Sequence, residues 1–486
     1  MLKRSVTTND DRNRGPAAGL AVPLLPGQVV SSMVLVAALV LSLIDLVRPN
    51  DLLPPVTVAL LGVAICLMYR QLSVTAWILV GLSLGTLAWA LWTGIGVADL
   101  VMVARRVVYL PTLIVAMTLL RVALQETALV ADAGAYVVFQ PPGRRYALLA
   151  FGAHIFGILL NIGGYMLLCA IAFTSQETAK VSERIAAIQK RRISTALMRG
   201  FAATLFWSPF SVGLNILLPL RPGIDWVTYL PYGLAGMVVY AGLGWIVDRF
   251  ENPRRARAGA APLVVERQGR VSALLGMVGI LAVIAGAGIL GNALWGVQMR
   301  AALLGLVPVV AIAWVLIFSM PGAVGGVPAG LRVFRTKALA GLSANGNEVT
   351  IMTTAAMLGL LLGLIVDPGL VQGLILWTGL TDIWLAFAIA VAIFVSAFLW
   401  VPPLVATTMI VMSVTAAGIP IADALLVLAV MSGWATSMLV SPMTATMVIA
   451  ATRLGLSTIT VGMKWNWLFS AVFLCAIGPV FWLIWG

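Results

Sequence analysis

Apolar segments long enough to cross a lipid bilayer follow one another along nearly the whole chain. Of the 486 residues, 61% are hydrophobic and only 10% carry a charge. Soluble domains carry about 25% charged residues, and one helical crossing takes about 20 residues. The chain therefore has room for about ten transmembrane helices and for no large soluble domain. We expect an all-α polytopic membrane protein.

Basic residues predict the orientation of these helices. Lys and Arg number 30 against 17 Asp and Glu, which gives a net charge of +13. They lie in short segments between apolar stretches, where an excess of Lys and Arg marks the cytoplasmic side. The charge therefore indicates membrane topology and no nucleic-acid partner. The basic segments 176–199 and 248–270 are predicted to be cytoplasmic, with the N-terminus inside and the C-terminus outside a cytoplasmic membrane.

The order of apolar and basic segments divides the chain into six parts. They are a cytoplasmic tail (1–28), N-terminal scaffold helices (29–106), a first repeat (107–247), a basic cytoplasmic loop (248–270), scaffold helices with a basic loop around Arg332, Arg335 and Lys337 (271–346), and a second repeat (347–486). The predicted spans are 29–47, 52–69, 72–94, 107–139 (interrupted at Gly134), 200–220, 226–247, 271–293, 301–319, 349–366, 424–450 and 465–485.

Two further apolar segments are too long for one crossing and too short for two. Segment 146–174 has 29 residues and is broken at Asn161-Ile162-Gly163-Gly164, and segment 382–416 has 35 residues and is broken at Trp400-Val401-Pro402-Pro403. Two crossings need about 40 residues. We predict two re-entrant hairpins that enter from opposite faces, since irregular backbone is tolerated in a membrane only where protein or a water-filled cavity covers it.

A self-match follows each hairpin. Residues 198–210 align with 431–443 at an offset of 233, and Met, Gly, Ala, Ser and Pro are identical over the 13 positions. The basic segments place the two copies in opposite orientations. Inverted repeats that contain discontinuous helices are typical of secondary transporters.

Proline inside a span removes a hydrogen-bond donor and splits the helix. The freed N–H groups of half-helices attract an anion, and freed carbonyls with Ser, Thr or Asn oxygens can hold a cation. The predicted solute- or ion-binding residues lie at the hairpin tips and at the two Ser-Pro turns: Asn161, Gly163, Gly164, Ser208, Pro209, Gly213, Asn215, Pro402, Pro403, Ser441, Pro442, Thr444 and Thr446. The alternatives are packing kinks at the prolines and a helix-capping role for Asn161.

This arrangement resembles the ion transporter superfamily, which includes divalent-anion/sodium symporters, arsenite and sodium/proton antiporters, and the large membrane subunit of tripartite periplasmic (TRAP) transporters. Leu160-Asn161-Ile162-Gly163-Gly164 is similar to the first hairpin tip of that family, and the residues from Ser208 to Asn215 and from Ser441 to Thr446 are similar to its unwound turns. The likeness covers roughly 107–247 and 347–486. It implies an elevator-type fold, a small solute such as an organic anion, and Na⁺ or H⁺ as coupling ion.

The remaining polar residues bear on competing functions. His154 is the only histidine and the three cysteines lie far apart, so we expect no metal centre or other cofactor, and no enzyme activity. His154 either carries a coupling proton or faces a helix neighbour. Arg121, Glu126 and Asp132 are costly within a span and are functional by default, although Arg121 and Glu126 would neutralise each other. The open alternatives are a membrane subunit that receives solute from a periplasmic or small membrane partner, a homodimer, and, less favoured, a membrane-embedded enzyme.

Overall fold

The computed structural model describes residues 25–125, 127–177, 182–251, 269–318, 326–442 and 444–486. Within these ranges the chain forms α-helices with short 3₁₀ turns and one π turn, and no β-strand is present there. Eleven helical stretches are long and apolar enough to cross a membrane. The protein is therefore an all-α polytopic membrane protein, and the predicted fold class is confirmed.

The N-terminal part consists of six helices. They are α1 (Pro26–Val47), α2 (Leu53–Leu67), α3 (Val74–Trp92), α4 (Val97–Val107), α5 (Tyr109–Leu124) and α6 (Ala128–Val138). The predicted span 107–139 breaks near Thr127, which caps α6 by accepting a hydrogen bond from the Val130 N–H. Gly134, the expected break, lies inside α6, where its missing side chain leaves room for Ile171. Glu126 lies outside the described residues.

Helix α7 (Pro142–Glu177) reverses direction in its middle. Asn161 has non-helical backbone angles (φ 51°, ψ −142°). Phe156 and Leu168 both lie within 4 Å of the Cβ position of Gly134, whereas a straight helix would hold two residues twelve positions apart at a distance of about 18 Å. The stretch Gly143–Thr174 is long enough to cross a membrane, but the chain folds back on itself at Asn161. Its entry from the cytoplasmic face stays a prediction.

The first Ser-Pro turn lies between α8 (Glu183–Ala202) and the short α9 (Val212–Leu217), and α10 (Trp226–Glu251) follows. Helix α8 begins at Glu183, whereas we predicted the span to start at residue 200. The reason is that its basic residues are held inside the protein. Arg192 donates two 2.8 Å hydrogen bonds to Asp248 of α10. Arg199 donates to Asn466 Oδ1 at 3.1 Å and lies 4.4 Å from the Phe469 ring centre.

The central part is formed by α11 (Val271–Trp295), α12 (Met299–Phe318), α13 (Gly326–Ala344) and α14 (Gly346–Ile365). Helix α13 covers the segment that we expected to be a basic loop. Its buried residues Gly330, Phe334, Ala338 and Leu342 recur every four positions, so they form one face, which packs on α1 and α5. Arg332 and Arg335 are exposed on the other face. The alternation of basic and apolar residues is that of an amphipathic helix.

The C-terminal part is formed by α15 (Pro368–Thr378), α16 (Asp382–Ser396), α17 (Pro403–Ala416), α18 (Asp423–Val440), α19 (Ala445–Leu454) and α20 (Trp465–Trp485). Its helices follow the order of the first half: α6 and α15, α7 and α16, and α8 and α18 each begin 240 residues apart (128 and 368, 142 and 382, 183 and 423). Helix α18 is the centre of the molecule, because every residue from Ala424 to Val440 is buried.

The two halves also repeat one close contact. Gly200 in α8 lies directly against the Ala150 carbonyl of α7, and Gly433 in α18 lies against the Ala390 carbonyl of α16. Gly200 and Gly433 are matched residues in the sequence alignment. A side chain at either glycine would collide with backbone, so both positions require glycine for helix approach. The shared contact explains why both aligned positions, 200 and 433, hold glycine.

The buried pair Arg192–Asp248 supplies the first prediction. Its side chains are 10% and 3% exposed, against 40% and 16% for the neighbouring pair Arg191–Glu251. Removing one partner of a buried ion pair costs about 3–5 kcal/mol, and an exposed pair contributes about 0–1 kcal/mol. Asp248→Asn should therefore lower the melting temperature of the detergent-purified protein far more than Glu251→Gln. Equal shifts for the two variants would contradict this assignment.

Candidate functional site

The tip of the first hairpin is stabilised by contacts with α5 and α14. The Asn161 amide Nδ2 donates to Glu348 Oε1 at 3.3 Å. Gly163 packs on the side chain of Arg121, whose Nη1 lies 3.1 Å from the Cβ position of the glycine. Gly164 lies against the Phe156 carbonyl of the first arm. The two glycines thus permit the reversal and the close approach of an arginine.

Arg121 is part of a polar cluster around this tip. Its Nη2 donates to Asn345 Oδ1 at 3.3 Å, and Asn345 Nδ2 donates to Thr118 Oγ1 at 2.6 Å. Arg121 and Glu348 also attract each other electrostatically. We call Thr118, Arg121, Asn161, Asn345 and Glu348 the tip cluster. Asn345 and Glu348 were missed by the sequence analysis, since nothing local links them to a hairpin 187 residues away.

Side chains of the first Ser-Pro turn form hydrogen bonds with several backbone groups of the same turn. Ser208 Oγ accepts from the Phe210 N–H at 3.2 Å, and Ser211 Oγ donates to the Leu205 carbonyl at 3.1 Å. Asn215 Nδ2 donates to the carbonyls of Pro209 (2.7 Å) and Ser211 (2.9 Å). Asn215 Oδ1 lies 3.0 Å from the Tyr109 hydroxyl. Asn215 therefore has both amide hydrogens committed and can offer a solute only its carbonyl oxygen.

Gly213, a predicted binding residue, faces the other half of the molecule. A Cβ at this position would lie 2.6 Å from Met431 Cε and 3.2 Å from Trp434 Cε3, both in α18. Overlaps of this size have to be relieved by movement of the neighbours. The glycine therefore allows the first turn to pack closely on the central helix of the second half.

The second Ser-Pro turn joins α18 to α19. Ser441 is buried and extended (ψ 123°), and Pro442 is half-buried. Thr444 Oγ1 lies 3.1 Å from the Met438 carbonyl and 3.2 Å from the Ser441 carbonyl, so its single hydrogen can be donated to either of them. Thr446, in the first turn of α19, is 3% exposed. This turn too is partly closed by its own side chains.

The break in the predicted second hairpin lies between α16 and α17 and has different surroundings from the first tip. Trp400 adopts a left-handed conformation (φ 61°), and Pro402 precedes α17, of which Pro403 is the first residue. Leu399 and Trp400 are 71% and 64% exposed, whereas Pro403 is buried. The residues that follow pack on Gly359 of α14. This tip thus presents apolar side chains to its environment and no polar cluster.

Two adjoining cavities lie beside the first Ser-Pro turn. One, of about 260 Å³, is lined by Pro209, Asn215, Asp225 and Arg300 among others. The other, of about 550 Å³, is lined by Asp51, Arg105, Arg106 and Arg300 among others. Pro219 and Arg300 border both cavities. Of the predicted site residues, Pro209 and Asn215 therefore line a cavity. Asn161 belongs to the tip cluster, and Gly163 packs on its Arg121.

The arginines at these cavities differ in their partners. Arg105 pairs with Asp45 and with Asp51, each at 3.0 Å. Arg106 has only weak acceptors, the Pro219 carbonyl at 3.4 Å and Met412 Sδ at 3.2 Å. Arg300 donates to Gln298 Oε1 at 3.1 Å. The sequence analysis did not select Arg106 or Arg300, although arginines at the ends of apolar spans were a signal that was available.

His154 is 6% exposed and accepts a hydrogen bond at Nε2 from Trp207 Nε1 at 3.0 Å. It therefore faces a helix neighbour, one of the two roles that we considered for it. Asp132 lies 3.8 Å from Arg270. Among the described residues no group of three or more His, Cys, Asp and Glu side chains is placed to hold a metal ion.

Comparison with known proteins yields a structural relative. No family model and no curated protein matches the chain. The fold is similar to that of the YdaH transporter of Alcanivorax borkumensis, whose crystal structure is described as having an unusual topology. The TM-score is 0.51 at 16% identity, and the similarity covers 78% of this chain and 86% of that one. The chain thus has the fold of a membrane transporter.

The backbone of Asn161 supplies the second prediction. Glycine adopts positive φ without cost, whereas other residues pay about 1–3 kcal/mol in such regions. Asn161→Gly and Asn161→Ala both lose the hydrogen bond to Glu348. The difference between their free energies of unfolding therefore measures the cost of the backbone conformation at residue 161. Asn161→Ala should be about 1–3 kcal/mol less stable than Asn161→Gly, measured by thermal unfolding in detergent. Equal stability of the two variants would contradict this prediction, because it would mean that the backbone at residue 161 adopts unstrained angles.

Proposed function

We propose that the protein is a secondary active transporter that moves a small organic anion across the cytoplasmic membrane by alternating access. The observation that carries this proposal is the broken helix at Ser208-Pro209, which lines a cavity in a fold similar to that of a known transporter. Broken helices in paired repeats are where transporters of several folds bind their solutes. A second break at Ser441-Pro442 follows the second hairpin in the same order.

The proposed coupling ion is Na⁺ or H⁺, and no other cofactor is required. A cation would be held by freed carbonyls and hydroxyls at the turns, with Ser208, Ser441, Thr444 and Thr446 as ligands. The chemistry of these groups supports this role, since hard cations prefer oxygen ligands. Asn161 and Pro402 would bring the two hairpin tips to the same mid-membrane site.

An elevator mechanism requires the hairpins and broken helices to move against the remaining helices. The tip cluster supports such a boundary, because Asn161 and Gly163 of the hairpin contact Glu348 and Arg121 of α14 and α5. These contacts would have to break and re-form during each cycle. Two chains associating through their immobile helices would supply the fixed frame, so a homodimer belongs to this proposal.

A second candidate is a TRAP-like membrane subunit that receives its solute from a periplasmic or small membrane partner. Exposed apolar residues such as Leu399 and Trp400 do not separate the two candidates, since a membrane protein presents such residues to lipid. Uptake by the purified chain alone in proteoliposomes would favour the first candidate. Uptake only after addition of a binding protein would favour the second. A membrane-embedded enzyme stays the less favoured alternative.

Uptake supplies the third prediction. A variant that combines Asn161→Ala, Asn215→Ala and Thr446→Ala should retain less than about a tenth of wild-type uptake of radiolabelled organic anions in proteoliposomes, because each lost hydrogen-bonding group costs about 1 kcal/mol. Thr336→Ala combined with Thr378→Ala removes two exposed hydroxyls and is the control. Wild-type uptake in the triple variant would place the site elsewhere and leave the turns as packing kinks.

Orientation supplies the fourth prediction. With the N-terminus inside, the loop after α14 is external and the loop after α19 is cytoplasmic. In a variant without the native cysteines, Asp367→Cys should react with a membrane-impermeant maleimide in intact cells, and Ser457→Cys should react only after permeabilisation. The reverse pattern would invert the topology. Arg255, in the basic loop 248–270, lies outside the described residues.

A further inference from the structure

We infer that Arg106 and Arg300 together form a binding site for a carboxylate group of the transported solute, in the larger of the two cavities beside the first Ser-Pro turn. The inference rests on the proposed function and names the chemistry of one recognition element. It concerns two residues that neither the repeat nor the hairpins single out.

The two arginines line the same cavity, whose acid Asp51 pairs with Arg105. Both border the larger cavity, and Arg300 borders the smaller one as well. Their positive charges are close enough to repel each other, and neither forms an ion pair with a carboxylate among the residues that the structure describes. A bound anion would remove this repulsion, and guanidinium groups bind carboxylates in a two-pronged geometry.

The acids nearby are committed elsewhere. Asp45 and Asp51 pair with Arg105, and Asp45 attracts Arg300 only at longer range. Asp225 Oδ1 accepts the Thr228 N–H at 2.8 Å, which caps α10. Arg105 is thus an arginine of this region whose charge is neutralised by two carboxylates. Arg106 and Arg300 lack that neutralisation although both are half-buried.

The side chain of Asn215 in the adjacent turn does not supply a hydrogen-bond donor for an anion. Asn215 has both amide hydrogens donated to the Pro209 and Ser211 carbonyls, so it cannot donate to an anion. The Tyr109 hydroxyl lies 3.0 Å from Asn215 Oδ1 and 3.1 Å from the Arg300 carbonyl. It therefore joins the turn to the start of α12. An anion held by the arginines would lie beside the broken helix without disturbing the bonds that close it.

Two kinds of oxyanion could bind to these arginines, a free carboxylate and a phospholipid headgroup. The experiment separates them. Arg106→Gln, Arg300→Gln and Arg300→Lys are prepared in the full chain, with Arg335→Gln, an exposed residue of α13, as the control for net charge. Uptake of acetate, succinate, glutamate and benzoate is measured in proteoliposomes of phosphatidylcholine and, separately, with added phosphatidylglycerol.

We expect the half-saturating concentration of the best of these substrates to rise at least about tenfold in both Gln variants, equivalent to about 1.4 kcal/mol. Arg335→Gln should match the wild type. Arg300→Lys keeps the charge and should show an intermediate rise, which guards against a variant that fails to fold. The effects should be the same in both lipid mixtures.

Three outcomes separate this inference from the proposed function. If the wild type transports none of the four acids, the proposed function and the inference fail together. If it transports one and the Gln variants behave like Arg335→Gln, only the inference fails. If the arginine dependence disappears when phosphatidylglycerol is present, the two residues bind a lipid headgroup and the solute assignment is overturned.

Discussion

The structure depends on one constraint: backbone groups of an interrupted helix inside a membrane must find partners within the protein. At the first turn, Ser211 donates to the Leu205 carbonyl, whose helical donor would have been the N–H that Pro209 lacks, and Asn215 donates to the carbonyls of Pro209 and Ser211. At the second, Thr444 lies beside two more. The polar residues near each proline are therefore needed to build the break before they are free to bind anything. This requirement explains why the turns are rich in Ser, Thr and Asn.

It also changes the chemical role of the predicted binding residues. An asparagine whose amide is committed presents an acceptor, which suits a cation or a solute N–H or O–H group and does not suit a carboxylate. The positive charge for an anion then has to come from outside the turn, and Arg106 and Arg300 are placed there. In the transporter that we propose, the broken helix would shape the site and the two arginines would attract the solute.

The sequence predicted what depends on neighbouring residues. The breaks at Pro209 and Pro442 follow from local chemistry, and the reversal at Asn161 follows from segment length and the glycines beside it. Contacts between distant parts were not predictable: Glu348 meets Asn161 across 187 positions, and Arg300 meets Tyr109 across 191. Helix α13 was mistaken for a loop because its basic residues hide an apolar face that only packing on α1 and α5 reveals.

The Tyr109 hydroxyl has a consequence of its own. It lies at bonding distance from two acceptors, Asn215 Oδ1 and the Arg300 carbonyl, yet a phenol carries a single hydrogen. In this conformation the phenol can donate to only one of these two oxygens. A donor group of a bound solute at Asn215 Oδ1 would turn the phenolic hydrogen toward the Arg300 carbonyl. The direction of one O–H bond would then differ between a filled cavity and an empty one.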